Sequence, residues 1–289
     1  METINSISSS KTKTPLVTVV VPVYNGAKYV IEAVESIQNN TFKDFEVMLV
    51  NDGSPADNSA QICGDLAKKY SNIRFTNFEK NRGLAEVINY CIKNANGKYI
   101  ARLNQDDIML PNRLQEQVNF LNNNPSVVVV GSWITLFKHN GEEQILEYMP
   151  NDTSIKKTWY FVGPFSDPTT MYRRDTALKI GLYEQKYWPA DDSHFWFKMG
   201  HAGKLANIQH PLVRVRWHDD AGSLVYARKM AVSLYNARMD AHKHHIPASF
   251  HIRMYWVVQM LAGLILPPKF VWVVFRLIKR TLPKLVKAK

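Results

Sequence analysis

Two places in this 289-residue chain set carboxylates side by side: Asp106-Asp107 in "ARLNQDDIML" and Asp191-Asp192 in "WPADDSHFW". Adjacent carboxylates repel one another unless a cation, a ligand or solvent relieves them. The first pair follows an apolar run and precedes Ile108, Met109 and Leu110. A cation site and a solvated turn before a helix with Pro111 at its first position both fit those ten residues. The second pair opens an aromatic-rich run. Its acids suit the first turn of a helix, where the dipole favours negative charge. A further acid, Asp52, stands between Asn51 and Gly53, where an Asx turn is one use for it.

The elements that would carry these residues follow from hydrophobic periodicity. Residues 16–24 ("LVTVVVPVY"), 45–52 ("FEVMLVND"), 72–78 and 98–107 read as strands, and 27–40, 59–70 and 83–97 between them read as helices. This alternation with short connections predicts a parallel sheet with helices on both faces. In open sheets of this kind ligands bind beyond the carboxyl ends of the strands. Tyr24-Asn25, Asn51 to Ser54 and Asp106-Asp107 all fall at those ends. In the second half, 126–137 and 144–150 around Asn140-Gly141 predict a hairpin. Residues 168–175 predict a short strand leading into a helix, 191–203 a helix with Asp192, Phe195, Trp196 and Met199 on one face, and 204–218 a strand.

Hydrophobic residues make up 46% of the chain, enough for a large core and incompatible with a disordered chain. The two cysteines, Cys63 and Cys91, sit in helical patterns without metal-ligand spacing and read as buried thiols in a reducing compartment. Residues 1–14 are polar, lack an apolar signal core, and are expected to be disordered, so the chemistry is expected to be cytoplasmic. The formal net charge of +11 is concentrated at one end. No Asp or Glu follows Asp240, whereas nine Lys and Arg do, leaving +2 for the first 240 residues. A uniformly basic nucleic-acid binder would not have this distribution, and no nucleic-acid partner is expected.

From about Pro15 to Ser223 the chain resembles the family 2 glycosyltransferases of GT-A fold, through "VTVVVPVYNG", "VNDGSPADNS", "NRGLAEVINYCIKNANGKYIARLNQDDIMLPNRL" and the second acid pair, in that order. The resemblance implies an α/β GT-A catalytic domain over 15–223, with a nucleotide-sugar-binding half (15–110) and an acceptor half (111–223), followed by C-terminal amphipathic helices. It matches Pro22, Tyr24 and Asn25 to the first nucleotide-binding motif, and Asp52 to the acid that accepts from the uracil imide, which favours a UDP-sugar donor. Asp106 would face the ribose and Asp107 would ligate Mg²⁺ or Mn²⁺. Asn104 stands where the motif often has its first acid, so the metal would lean on substrate phosphate oxygens. Arg82 and Arg102 are matched to the diphosphate or donor sugar, with surface ion pairs as the other reading. Asp192 falls at the general base, with Asp191 beside it in place of a Glu. One displacement with one base and no covalent intermediate inverts the anomeric centre. Arg216 and His218 resemble the late basic segment near the diphosphate, where His218 could ligate the metal. Trp188 and Trp217 could stack on an acceptor sugar, or pack in the core.

The tail, 224–289, has apolar runs at 254–266 and 270–278, each shorter than the roughly 20 residues that span a bilayer and separated by Pro267-Pro268. With their basic flanks they read as interfacial amphipathic helices on the cytoplasmic membrane, or as helices packed on the catalytic domain or a partner. The combined expectation is an inverting, metal-dependent transferase that moves a sugar to a lipid-linked or growing glycan in surface polysaccharide assembly (capsule, O-antigen or exopolysaccharide), alongside other assembly enzymes. Processive synthases carry a QxxRW motif and several membrane spans. Here Val213 stands at the Gln position of "VRVRW" and no apolar run is long enough to span. A catalytically silent glycan- or membrane-binding module on the same scaffold is the remaining alternative.

Overall fold

The computed structural model describes residues 14–218, 222–271, 273, 274, 277 and 278. The expected disordered segment 1–14 therefore lies, but for Thr14, outside the described residues, as do Asp219, Asp220 and the last eleven positions. In chain order the elements begin with β1 (Val17–Val23), α1 (Val30–Gln38), β2 (Phe45–Asp52), α2 (Ser59–Lys69), β3 (Ile73–Phe78), α3 (Leu84–Asn94), β4 (Tyr99–Arg102) and β5 (Ile108–Met109). There follow α4 (Arg113–Asn123), β6 (Val127–Phe137), β7 (Glu143–Leu146), α5 (Asp152–Thr158), β8 (Met171–Arg173), α6 (Arg174–Ile180) and α7 (Asp191–Ala202). The chain closes with β9 (Lys204–Arg216), α8 (Gly222–Val225), α9 (Ala227–His244) and α10 (Phe250–Ile265).

One sheet carries all the strands, in the order β3-β2-β1-β4-β8-β6-β9-β5, with β7 on β6. The first four strands pair in parallel, as the βα alternation predicts. The second half departs from that pattern. β8 is antiparallel to both β4 and β6, β5 is antiparallel to β9, and only β6 and β9 run parallel. The sheet is thus mixed. Strand β1 is apolar on both faces because both are covered: Val17, Val19, Val21 and Val23 pack with α1, α2 and α4, while Val20 packs with α3, α6 and α7. Burying each such side chain contributes roughly 1.5–3 kcal/mol.

The predicted strand 98–107 is shorter than its apolar run suggests. β4 stops at Arg102, and Leu103 to Asp107 form a turn leading into β5. Pro22 explains how this is tolerated. Val20 faces β4, where its carbonyl accepts the Leu103 N–H at 3.1 Å, so by strand alternation Pro22, without an N–H, faces the same side just past the last β1–β4 pair. Both cysteines are buried, and burial pushes their thiols up to about 12. Helices α9 and α10, in the expected 224–289 tail, pack on the body. α9 buries Ala237 and Ala241, the latter in the same core as α7, and α10 buries Trp256, whose indole N–H donates to the Tyr160 carbonyl at 2.7 Å. No helix among the described residues is long and apolar enough to cross a membrane.

Candidate active site

The loops after β1 and β2 are stapled to each other. Asn25, with φ 49°, donates its N–H to Ser54 Oγ (2.9 Å) and accepts from the Ala56 N–H (3.2 Å). The Gly26 N–H donates to Ser59 Oγ at 2.8 Å, and the Ala27 N–H to Asp57 at 2.9 Å. Gln105, next to the first acid pair, joins the same loop: its Oε1 accepts the Tyr24 N–H (2.8 Å) and its Nε2 donates to the Tyr24 carbonyl (3.1 Å). Tyr24 and Asn25 stay exposed at the open edge while Pro22 is buried in the strand. Ser54 lies in the stretch expected at the strand ends; Ser59, Asp57 and Gln105 carry no signal in the sequence, because polar loop residues there are indistinguishable from ordinary turn formers.

Asp52 is buried at the end of β2, and its carboxylate accepts the N–H groups of Arg82 (2.7 Å) and Gly83 (3.0 Å). Its first role in the fold is therefore to hold the 80–83 loop. Gly53, with φ 63°, packs against the Lys80 and Asn81 backbone so closely that a side chain would collide with it. This brings Arg82 to the rim, exposed, with its guanidinium 3.9 Å from the centre of the Phe78 ring.

The first acid pair divides its duties. Asp107 is 1% exposed; its Oδ1 accepts the Arg216 N–H (3.0 Å) and its Oδ2 accepts from Asn104 Nδ2 (3.1 Å). Burial, reinforced by the neighbouring Asp106, pushes its carboxyl well above the usual range. Asp106 is partly exposed, and its Oδ2 lies 3.0 Å from His218 Nε2. Asp107, the expected cation ligand, accepts one hydrogen bond on each oxygen, whereas Asp106 and His218 form the more exposed side of the turn. Two donors of these types, oxygen and imidazole nitrogen, fit Mn²⁺ or Mg²⁺ only with substrate oxygens and water completing the shell. No group of three or more potential ligands occurs among the described residues, a set that leaves out Asp219 and Asp220.

Arg216 is spent on this loop. Its Nε donates to the Asp106 carbonyl (3.0 Å), and its guanidinium pairs with Glu32 and lies over Tyr29 and Phe137. It fastens the turn that carries the acid pair, at the position expected to lie near the diphosphate. Tyr29, not foreseen, also flanks His218, with ring centres 5.5 Å apart.

The second acid pair opens α7: the N-cap is Ala190, and within the first turn Asp192 Oδ1 accepts the Ser193 N–H at 2.6 Å. Asp191 is 3% exposed with a buried oxygen that has no partner. Burial pushes its carboxyl up to about 6. Asp192 is half-buried; burial, then the charges of Asp167 and Asp191, push it up to about 8. Asp167 was missed from the sequence, where "FSDPTT" looks like a turn. It pairs at 3.0 Å with Arg102, which is 0% exposed and so is neither a surface ion-pair partner nor open to a diphosphate. Arg113, also unforeseen and fully buried, supports β4 by donating to the Arg102 carbonyl at 2.8 Å.

Trp188 lies against α9: its ring meets Tyr226 at 4.7 Å and Lys229 Nζ at 4.2 Å, and its carbonyl accepts from Ser233 at 3.0 Å. Trp217 follows β9, and its N–H donates to the Phe137 carbonyl at 2.8 Å.

Comparison with known proteins agrees with this geometry. The model of glycosyl transferase family 2 matches residues 18–181. The chain belongs to that family. Among curated relatives, an uncharacterized glycosyltransferase of Methanocaldococcus jannaschii is 33% identical over 64% of this chain and 64% of its own length. EpsE of Bacillus subtilis, a glycosyltransferase by name, is 30% identical over 77% of this chain and 82% of its own. The chain spans 64% and 35% of two of the other relatives' lengths, those from M. jannaschii and Rickettsia felis. The fold matches S. aureus TarS in complex with UDP-GlcNAc (TM-score 0.59, 18% identity, 94% of this chain and 91% of that one). It also matches the Pyrobaculum calidifontis mannosyltransferase in complex with GDP-Man and Mn²⁺ (TM-score 0.63, 19% identity, 94% and 84%). The fold is accordingly the GT-A fold of this family.

Proposed function

We propose that this protein is an inverting, divalent-metal-dependent glycosyltransferase. It takes a sugar from a nucleotide-sugar donor, preferably UDP-linked, and places it on a lipid-linked or growing glycan in surface polysaccharide assembly at the cytoplasmic membrane. The observation that carries the reading is the placing of two acid pairs, Asp106-Asp107 in the turn after β4 and Asp191-Asp192 at the start of α7, in a chain that belongs to glycosyl transferase family 2.

The residues divide the work as follows. Tyr24, Asn25, Asp52 and Arg82 line the nucleotide side. Asp106 and His218 would hold a divalent cation, which would supply positive charge to offset that on the departing diphosphate. Asp107 and Arg216 keep their loop in place. Asp192, its carboxyl raised towards neutral pH, accepts the proton of the attacking hydroxyl, which is worth roughly 10²–10⁴-fold in rate. The acceptor side is walled by Trp188 and Trp217. The UDP-GlcNAc and GDP-Man bound by the two structural neighbours support a nucleotide-sugar donor and leave its base to experiment.

Calorimetric titration of UDP, GDP and dTDP with and without Mn²⁺ tests the donor side. Mn²⁺-dependent UDP binding is expected. Preference for GDP keeps the reaction and overturns the uracil assignment, and no nucleotide binding overturns the transferase reading.

A further inference from the structure

Helix α10 has two unlike sides. Trp256, 1% exposed, and Gly263 are buried against the body, with the Ala231 Cβ of α9 only 2.6 Å from where a side chain on Gly263 would begin. Gln259, near the same side, accepts from the buried Arg238 of α9 at 2.6 Å. At 3.6 residues per turn, Phe250, Met254, Val258, Leu261 and Ile265 fall on the opposite side as one continuous row. All five are exposed, Val258 at 60% and Ile265 at 75%. Beyond Pro267-Pro268, Phe270, Val273 and Val274 are helical and also exposed. A contiguous apolar surface of this length on a water-soluble body marks an interaction site.

Charge selects what covers it. No acid follows Asp240, while Lys243 lies on α9, Arg253 on α10 itself and the other seven bases from position 269 onward. Apolar runs flanked in sequence by bases, with no acid after Asp240, match the boundary between acyl chains and anionic headgroups. They do not match a second copy of the same basic segment, which would bring like charges together.

Building on the proposed function, we infer that the outward row of α10 is the seat for an anionic phospholipid bilayer, and that it is rigidly mounted on the catalytic body. The mount is visible on α9. Asp240 lies 2.8 Å from Nε2 of His194, a buried residue two positions after Asp192, and Ser233 donates to the Trp188 carbonyl. The bilayer seat is therefore fixed relative to the α7 turn that carries the base, so a membrane-borne acceptor meets that base at a set height and angle.

The test is co-sedimentation of the full chain with vesicles of phosphatidylcholine alone and with 30% phosphatidylglycerol (about one negative charge per three lipids), set beside transfer to a water-soluble acceptor. Binding to the anionic vesicles is expected. The double variant Val258→Asp/Leu261→Asp should lose it by about ten-fold or more while keeping its circular dichroism and its transfer to the soluble acceptor. Retained vesicle binding in a folded double variant overturns the inference. So does a wild-type chain that ignores vesicles, including one that is dimeric by light scattering and turns monomeric in the variant, which would make the row a contact between copies. Failure of soluble transfer in the wild type would instead count against the proposed function, separately from the vesicle result.

Discussion

Replacing Asp167 by Asn removes the counter-charge from a guanidinium that has no route to water. Arg102 is fully buried, and besides the 3.0 Å pair with Asp167 it reaches only the Val20 carbonyl and Asn104 Oδ1, each at 3.4 Å. Removing one partner of a buried pair costs about 3–5 kcal/mol. Asp167 keeps some exposure, and Asn can still accept one hydrogen bond, so a loss near the lower limit, about 3 kcal/mol, is expected. With a urea dependence of about 3 kcal/mol per M, the unfolding midpoint should fall by about 1 M. The substitution also acts on the base. Asp167 is, after burial, the largest influence holding Asp192 up at about 8. Asp192 works deprotonated, so turnover rises with pH through its pKa, and removing Asp167's charge lowers that pKa and moves the rise to lower pH. Urea titration by circular dichroism and a pH–kcat profile read the two effects separately. A midpoint shift under about 0.2 M, or a profile that stays in place or moves to higher pH, refutes the reasoning.

Asp192→Asn should lower kcat by roughly 10²–10⁴-fold while leaving nucleotide affinity by calorimetry unchanged; a matching loss of affinity would make Asp192 a binding residue. His218→Ala removes one of two cation-facing donors and should weaken Mn²⁺ binding in the presence of nucleotide by about 10-fold or more, read by calorimetry, whereas undiminished affinity would return the cation to Asp107. Asp52→Ala deprives the Arg82 and Gly83 N–H groups of their acceptor, at about 1.5–3 kcal/mol for each charge-assisted bond, and should speed hydrogen exchange at both amides; unchanged exchange would show the loop to be held otherwise. Gly263→Val drives α10 away from Ala231, costs about 1–3 kcal/mol, and should shift Trp256 fluorescence to the red.

The sheet's first half was legible because buried parallel strands are written as long β-branched runs bounded by turn residues, as in 16–24 and 45–52. The second half was less so. β8 is three residues long and β5 only two, too short to show a period, and their antiparallel placement depends on partners more than forty residues away. The strand placed at 98–107 ran too far because Leu103 is as apolar as a strand residue, yet serves in the turn that aims the acids. The site's acids were visible as pairs. Their division of labour was not, because whether Asp106 or Asp107 faces outward depends on the Arg216 N–H arriving from β9. Asp167 and Arg113 stayed hidden for the same reason: each owes its importance to a burial that only the assembled sheet creates.

The short strand β5 also has a consequence for synthesis. It pairs with Val213 and Arg214, and the Arg216 N–H secures Asp107 only once that stretch exists. At the usual 5–20 residues per second, roughly 5–20 s separate translation of the acid pair from that of its fastening. During the first part of that interval the open edge of β4, which β8 later covers at Met171–Arg173, is a bare hydrogen-bonding edge. A ribosome-bound chain stalled before Arg216 would carry the acidic turn unclosed, so nucleotide-dependent protection from protease should appear abruptly with chain length and not grow with each added helix.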